Sequence, residues 1–319
     1  MNMVSAINNA LELIMKENSD VVLLGEDIGK DGGVFRVTDG LLSKFGEKRV
    51  IDTPLAESSI IGTAIGMAVA GMHPIPEIQF AGFMYEAFAQ LINHASRYRS
   101  RSRSRFTVPM VVRVPVSGGV RTLEHHSESP EAFYSHVGGL IVVEPSGPYD
   151  AKGLLIKASR MQDPVLFLEP TKLYRLFKQD VPEDSYELEI GKANVVSEGD
   201  SLTIITYGTM LPLVKSVVEK KGVAAQIVDL RTINPLDEKT IIESVKKTGK
   251  AMIVHEAPFS FGVGAEIAAR IAEKAIYDLD APVLRVASNS FPYPFPGYEQ
   301  YYIPNEVKVS KAIDKLLSS

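Results

Sequence analysis

Asp52-Thr53-Pro54-Leu55-Ala56-Glu57 runs straight into Ser58-Ser59-Ile60-Ile61-Gly62-Thr63-Ala64-Ile65-Gly66, and the change of character at Glu57 decides how the chain is read. Pro54 restricts Thr53 to extended backbone and stops any strand before it. Beyond it the spacing predicts a helix over 58–71, almost wholly apolar, with one carboxylate at its mouth. The plainest reading of Glu57 is a negative charge at the positive end of that helix. A helix this apolar belongs inside a protein, and a strand, a turn and a buried helix in succession imply an α/β layer fold.

The alternation continues on both sides. Residues 21–25, 75–80, 110–114, 140–144 and 164–168 are short apolar runs. They read as strands buried on both faces, as in a parallel sheet covered by helices. Helices are expected over 84–96 and 149–160, and 1–18 is amphipathic through Val4, Ile7, Leu11 and Ile14. Over 171–199 charged residues dominate, Pro170 and Pro182 intervene, and no periodicity is sustained. That stretch is the linker candidate. A second α/β unit follows, with strands over 202–206, 224–229, 251–255 and 283–286, helices over 210–220, 239–247 and 265–273, and a closing helix over 305–317.

Composition bounds the function. A length of 319 residues suits two domains, and a hydrophobic share of 45% supplies a real core. The net charge of −5 argues against nucleic acid as the main partner. No cysteine is present, which excludes disulfides, thiolate metal sites and cysteine nucleophiles. The N-terminus reads as a helix rather than a signal peptide. The longest weakly charged stretch, 58–72, is shorter than the roughly 20 residues of a membrane span. A cytoplasmic location is expected.

Three other segments carry chemistry. In Pro76-Glu77-Ile78-Gln79-Phe80-Ala81-Gly82-Phe83-Met84-Tyr85-Glu86 the aromatics read, taken alone, as core. In Glu124-His125-His126-Ser127-Glu128-Ser129-Pro130-Glu131 two adjacent histidines invite a metal reading, which fails because adjacent residues rarely chelate one ion and no third ligand is spaced for it. Between residues 97 and 105 five arginines alternate with serine and tyrosine. Phosphate binding is one reading of that run. A loop or helix end that pairs with acids, across a subunit interface or within the chain, is the favoured one. Gly262-Val263-Gly264 is a weak echo of a dinucleotide loop and lacks its third glycine.

The opening segment resembles the [Asp/Asn]-Thr-Pro-[Leu/Ile]-x-Glu motif of the pyrimidine-binding domain in transketolase-like thiamin enzymes. Asp229-Leu230-Arg231-Thr232-Ile233-Asn234-Pro235-Leu236-Asp237 resembles a stretch of their C-terminal domain. From Glu26 to about Pro304 the chain is similar to the beta subunit of the decarboxylating component of 2-oxo acid dehydrogenase complexes. The resemblance implies a transketolase-type pyrimidine-binding domain over 1–178, a linker over 179–200 and a transketolase C-terminal-type α/β domain over 201–319.

It also implies site roles. Glu57 would bond the aminopyrimidine nitrogen of thiamin diphosphate and share a proton with it, a task that suits a carboxyl in an apolar pocket. Phe83 would pack on the pyrimidine. Glu26, at a strand end, is a further cofactor-contacting candidate. With Glu86 it would belong to a proton path that relatives complete with an acid where this chain has Ala89. His126 would face the substrate and the incoming lipoyl group, donating a proton as the dithiolane opens. His125 is expected to make a nearby hydrogen bond, and His73, His94, His136 and His255 to be structural. Potassium would be held by backbone carbonyls near Met110, Ala158, Met161 and Asp163, although Met161 stands where relatives often have Asp.

A diphosphate-and-magnesium signature, Gly-Asp-Gly followed by an Asn pair, is missing. Gly199-Asp200-Ser201 fails at its third position, and Asn8-Asn9 lies upstream. The expectation is therefore half an active site, completed by an alpha subunit in a two-alpha, two-beta heterotetramer that acylates a lipoyl acyltransferase component. The segments 125–133 and 169–175 favour a branched-chain 2-oxo acid as substrate, with pyruvate as the alternative. An autonomous ketol-transferring enzyme or synthase and a nucleic-acid-binding protein are the readings from other classes.

Overall fold

The computed structural model describes residues 1–319. The first half contributes strands β1 (Val21–Gly25), β2 (Val50–Asp52), β3 (His73–Glu77), β4 (Val111–Val116), β5 (Ile141–Val143) and β6 (Val165–Pro170). The second contributes β7 (Asn194–Ser197), β8 (Leu202–Thr206), β9 (Ala225–Asp229), β10 (Thr232–Asn234), β11 (Ala251–Pro258) and β12 (Leu284–Ser288). They form a seven-stranded sheet ordered β10-β5-β6-β4-β3-β1-β2 and a five-stranded sheet ordered β12-β11-β8-β9-β7. Every pairing is parallel except β10 with β5 and β7 with β9, both at sheet edges. Strands β1, β4, β6, β8 and β9 are buried along their whole length, as two-sided apolar runs require.

Three local departures from the sequence expectations have physical causes. Strand β3 starts and ends earlier than expected because Pro74 and Pro76 remove the amides that would have faced β4. Its ladder to β1 is complete, whereas the β3–β4 ladder is reduced to Glu77 opposite Arg113. The helix expected over 84–96 is a broken series of turns: Ala81–Ala87 and Ala95–Arg97 wind tightly and Gln90–His94 winds loosely. The Glu86 carbonyl at this break accepts from the Ser58 hydroxyl. Wide turns of this kind recur at functional sites. Finally, the charged stretch after Pro170 is not free. Tyr186 stacks on Tyr149 at 4.7 Å, and Lys152 donates to the Glu183 carbonyl at 2.9 Å, which lays this stretch along the helix Pro148–Ser159.

The two sheets are not independent bodies. One apolar core joins Val112, Leu166 and Tyr134 of the first half to Ile205, Val228 and Ile253 of the second. Strand β10 lies in the later half of the sequence and completes the first sheet. A second core lies between the first sheet and the helices Met3–Glu17 and Pro148–Ser159. The N-terminal helix buries Val4, Ile7, Leu11 and Ile14 and is capped by Asn2, whose side chain accepts from the Ser5 amide at 2.9 Å. No helix is long and apolar enough to cross a membrane.

Candidate active site

The candidate residues Glu26, Glu57 and Phe83 follow the carboxyl ends of β1, β2 and β3, where ligands bind in open α/β sheets. Glu26 follows β1 directly. It is 4% exposed, and neither of its carboxyl oxygens has a hydrogen-bond partner. Burial, then the charges of Glu57 and Asp27, push its pKa up to about 7. The turn after β2 is pinned by the Thr53 amide donating to the Gly25 carbonyl at 2.9 Å. Non-helical backbone at Ala56 then gives way to the helix Glu57–Val69, with Glu57 half-buried in its first turn. The Asp52 carboxylate accepts from the Gly29 and Lys30 amides at 2.5 and 3.1 Å, closing the loop after β1.

The helix that opens at Glu57 packs against the turns Ala81–Ala87, which carry Phe83 and contact the Glu124–His126 turn in their own right. Phe80, Phe83 and His126 make one aromatic wall, with ring centroids 4.3 Å apart for Phe80–His126, 5.4 Å for Phe83–His126 and 5.8 Å for Phe80–Phe83. Gly82 permits this approach. A Cβ there would stand 2.4 Å from the His125 carbonyl oxygen. The structure therefore brings Glu26 beside Glu57 and Phe83 beside His126. Glu86 and Ala89 are exposed on the outside of the same turns.

Other anticipated residues lie elsewhere. His125 points to solvent, 3.7 Å from Glu124. No group of histidines or acids is arranged to hold a metal ion. Near the anticipated potassium turn, the Met110 and Ala158 carbonyls accept from the Val165 and Met161 amides, and Asp163 pairs with Arg99 at 2.6 Å. That ion pair also accounts for one arginine of the basic run. His255 is fully buried with neither ring nitrogen bonded, and burial followed by Arg285 lowers its pKa to about 4, so it is neutral.

Two buried polar groups escaped the sequence reading. Arg113 of β4 donates to both oxygens of Glu169 at 2.7 and 2.9 Å and to Glu77 at 2.6 Å, and Tyr174 donates to Glu169 at 2.6 Å. At the seam between the sheets lie Glu131, Glu144, Asp229 and Glu256, all buried. The available signal was a lone charge inside an apolar run, as at Arg113 in Val-Val-Arg-Val. Such a residue must be paired, but the sequence does not name its partner.

Glu26, buried with oxygens that lack donors and close enough to Glu57 to feel its charge, and the edge-to-face cluster of Phe80, Phe83 and His126 are groups suited to bonding and packing an aminopyrimidine. Comparison with known proteins agrees. Residues 1–176 match the family described as transketolase, pyrimidine binding domain, and residues 191–309 match transketolase, C-terminal domain. The chain is 49% identical over 317 residues to the pyruvate dehydrogenase E1 component subunit beta of Acholeplasma laidlawii, covering 98% of this chain and 97% of that protein. It is equally 49% identical over 309 residues to the protein of the same name from Staphylococcus epidermidis, covering 96% and 95%. A solved structure described as a split gene transketolase, inactive beta4 tetramer, superposes with a TM-score of 0.81 at 22% identity over 100% of this chain and 98% of that one, a likeness of fold alone. The two-domain transketolase-type α/β fold expected from the sequence is the one observed.

The substrate expectation is corrected. These relatives are named for pyruvate, not for a branched-chain acid. Of the two segments that suggested the branched-chain type, 125–133 and 169–175, the second has Glu169 and Tyr174 buried in the Arg113 group, and its Arg175 donates to the Phe35 carbonyl at 2.8 Å. The bonds they make are structural.

Proposed function

The chain belongs to the family of pyruvate dehydrogenase E1 component beta subunits, and on that premise we propose that it supplies the pyrimidine side of an active site that decarboxylates pyruvate. It is one subunit of a thiamin-diphosphate-dependent dehydrogenase and works with an alpha subunit in a heterotetramer. The alpha subunit would hold the diphosphate and its magnesium, since this sequence lacks that signature. When bound, the coenzyme supplies a carbon nucleophile and takes up the electrons left by departing carbon dioxide.

The observation that carries the reading is Glu26 buried and unpartnered beside Glu57. Glu26, raised by burial and then by the charge of Glu57, is the carboxyl that can carry a proton near neutrality. Glu57 would share a proton with the ring nitrogen, and Glu26 would keep that proton from leaving to solvent. Phe83 would seat the ring. His126, on the same wall, would face the 2-oxo acid and afterwards the lipoyl group of the acyltransferase component.

The test is decarboxylation of pyruvate by the co-expressed alpha and beta subunits. Glu57→Ala should lower kcat by roughly 100-fold or more, the range expected for loss of a general acid–base partner. Full activity in that variant, or full activity of this chain without an alpha subunit, would overturn the reading.

A further inference from the structure

The segment bearing His126 leaves β4 at Ser117 and returns at Glu131, and its feet stand on the other half of the molecule. The Gly118 amide donates to Glu256 Oε1 at 2.5 Å. The Gly119 amide donates to the Tyr293 hydroxyl at 3.0 Å, which itself donates to Glu299 at 2.8 Å. At the far foot the Tyr207 hydroxyl donates to Glu131 at 2.6 Å. Glu256 is fixed in turn by Thr209, whose hydroxyl donates to its second oxygen at 2.5 Å. Only glycine fits at 118, because a Cβ would meet the Tyr293 oxygen at 2.0 Å.

Between its feet the segment closes on itself. The Ser117 amide donates to the Glu128 carbonyl at 2.8 Å, and the Thr122 and Ser127 hydroxyls bond each other at 2.9 Å. Ser117 and Arg121 adopt left-handed backbone at φ 70° and 62°. Non-glycine residues hold that conformation only where their surroundings over-determine it. Ser117 is 1% exposed, and its surroundings are the Glu256 contact at the next residue and Thr171, which donates to the Ser117 carbonyl at 3.3 Å.

We propose that Glu256, together with Tyr293 and Tyr207, is a positioning residue: the second α/β unit clamps both feet of this loop and so fixes where His126 stands against Phe80 and Phe83. The inference rests on the reading of His126 given above. It assigns to the C-terminal half a direct part in shaping a crevice that the first sheet otherwise builds alone. None of the three residues touches the aromatic wall, so their effect must pass through the loop.

The test uses the co-expressed alpha–beta enzyme, with acylation of a lipoyl domain and amide hydrogen exchange over 117–131 as separate readouts. Glu256→Ala should lower kcat for acylation by roughly 10-fold or more and speed exchange across the loop. Glu256→Gln should recover most of both, since an amide can accept from Gly118 while Thr209 reverses its hydroxyl. Tyr293→Phe, which removes a single hydroxyl, should act in the same direction if Glu256→Ala fails to assemble. In a His126→Ala background, Glu256→Ala should cost no further activity, within about 2-fold, because both act on one unit. Unchanged loop exchange in Glu256→Ala and Tyr293→Phe, or fully additive losses, would overturn the clamp. Full acylation by His126→Ala alone would instead sink the reading of His126 and leave the exchange result to decide the clamp.

Discussion

Two buried groups of acids in this molecule solve the same electrostatic problem in opposite ways. In the first sheet, Glu77 and Glu169 share a buried arginine. Burial opposes the charge of Arg113, yet Glu169 and Glu77 hold it protonated. Carboxylates from β3 and β6 thus flank a cation on β4, and the group works as a fixed strut across the sheet. At the seam between the sheets, Glu131, Glu144, Asp229 and Glu256 are buried with no arginine or lysine bonded to any of them. Their partners are Tyr207, Ser146, Thr209 and the Gly118 amide. Glu144 and Asp229 each keep one oxygen without a partner. Burial pushes Glu131 and Asp229 up to about 7 and Glu144 well above the ordinary range. One cation offsets one of the two acids of the first group, where burial raises Glu77 as well; no cation is bonded to the second group, so protons carry more of its neutralisation and its response to pH is the larger.

The largest expected effect breaks the first group. Arg113→Met leaves two buried carboxylates without a counter-charge and should destabilise the chain by about 3–5 kcal/mol, read as a shift in denaturant midpoint. Adding Glu77→Leu and Glu169→Leu should recover most of that loss, since apolar residues of similar volume often replace a buried ion group at little cost. A loss below about 1 kcal/mol in Arg113→Met would mean that water reaches the group and the strut is weak.

Next in size is the pH response of the second group. The folded values of Asp229 and Glu131, about 7, lie above the ordinary 3.8 and 4.5. Between those limits the folded chain holds protons that the unfolded chain has lost. The contribution of these two acids to stability is therefore full below about pH 4 and is lost as pH rises through 7. Asp229→Asn removes one such proton site and keeps an oxygen for the Ser146 hydroxyl. Relative to the parent, the variant should gain on the order of 2 kcal/mol between pH 4.5 and 8, a figure kept small because the four acids share the shift. Parallel melting curves for variant and parent across that window would remove the proton-holding account.

Both groups show what the sequence could and could not convey. The two-sided apolar runs located β1 and β8 to the residue, because burial on both faces leaves a local signature. Strands β7 and β10 were missed. Each is short, pairs antiparallel at an edge, and looks like turn or linker in composition. The prolines of β3 were visible, but their consequence depends on which neighbour each amide faces. At the site, the motif at 52–57 and the histidine pair drew attention to segments that the fold places at the head of the helix Glu57–Val69 and in the Phe80–Phe83–His126 cluster. The partners of Arg113 stand 36 and 56 residues away, and the seam acids come from four separate elements. Only the folded chain brings such groups together. The substrate reading rested on the likeness of segments 125–133 and 169–175 to branched-chain relatives, and in the second of these Glu169 and Tyr174 are held in the buried strut.

The smallest effect discriminates most sharply between the two groups, because one chemical change can be made in both. Tyr174 and Tyr207 are each buried and each donate to a carboxylate at 2.6 Å. Removing either hydroxyl should cost about 1 kcal/mol, but the two losses should differ with pH. In Tyr174→Phe the Glu169 side chain keeps two bonds from Arg113, so the loss should be level from pH 5 to 8. In Tyr207→Phe the lost donor is one that favours ionised Glu131. Its removal costs little while Glu131 is protonated and more as pH rises through about 7, where the bare carboxylate must form without it. Urea midpoints at pH 5 and pH 8 for both variants give the comparison directly. A level response at Tyr207 would place a counter-charge near Glu131 and make the two groups alike, whereas a slope at Tyr174 would mean that the two Arg113 bonds do not hold the Glu169 end of the strut.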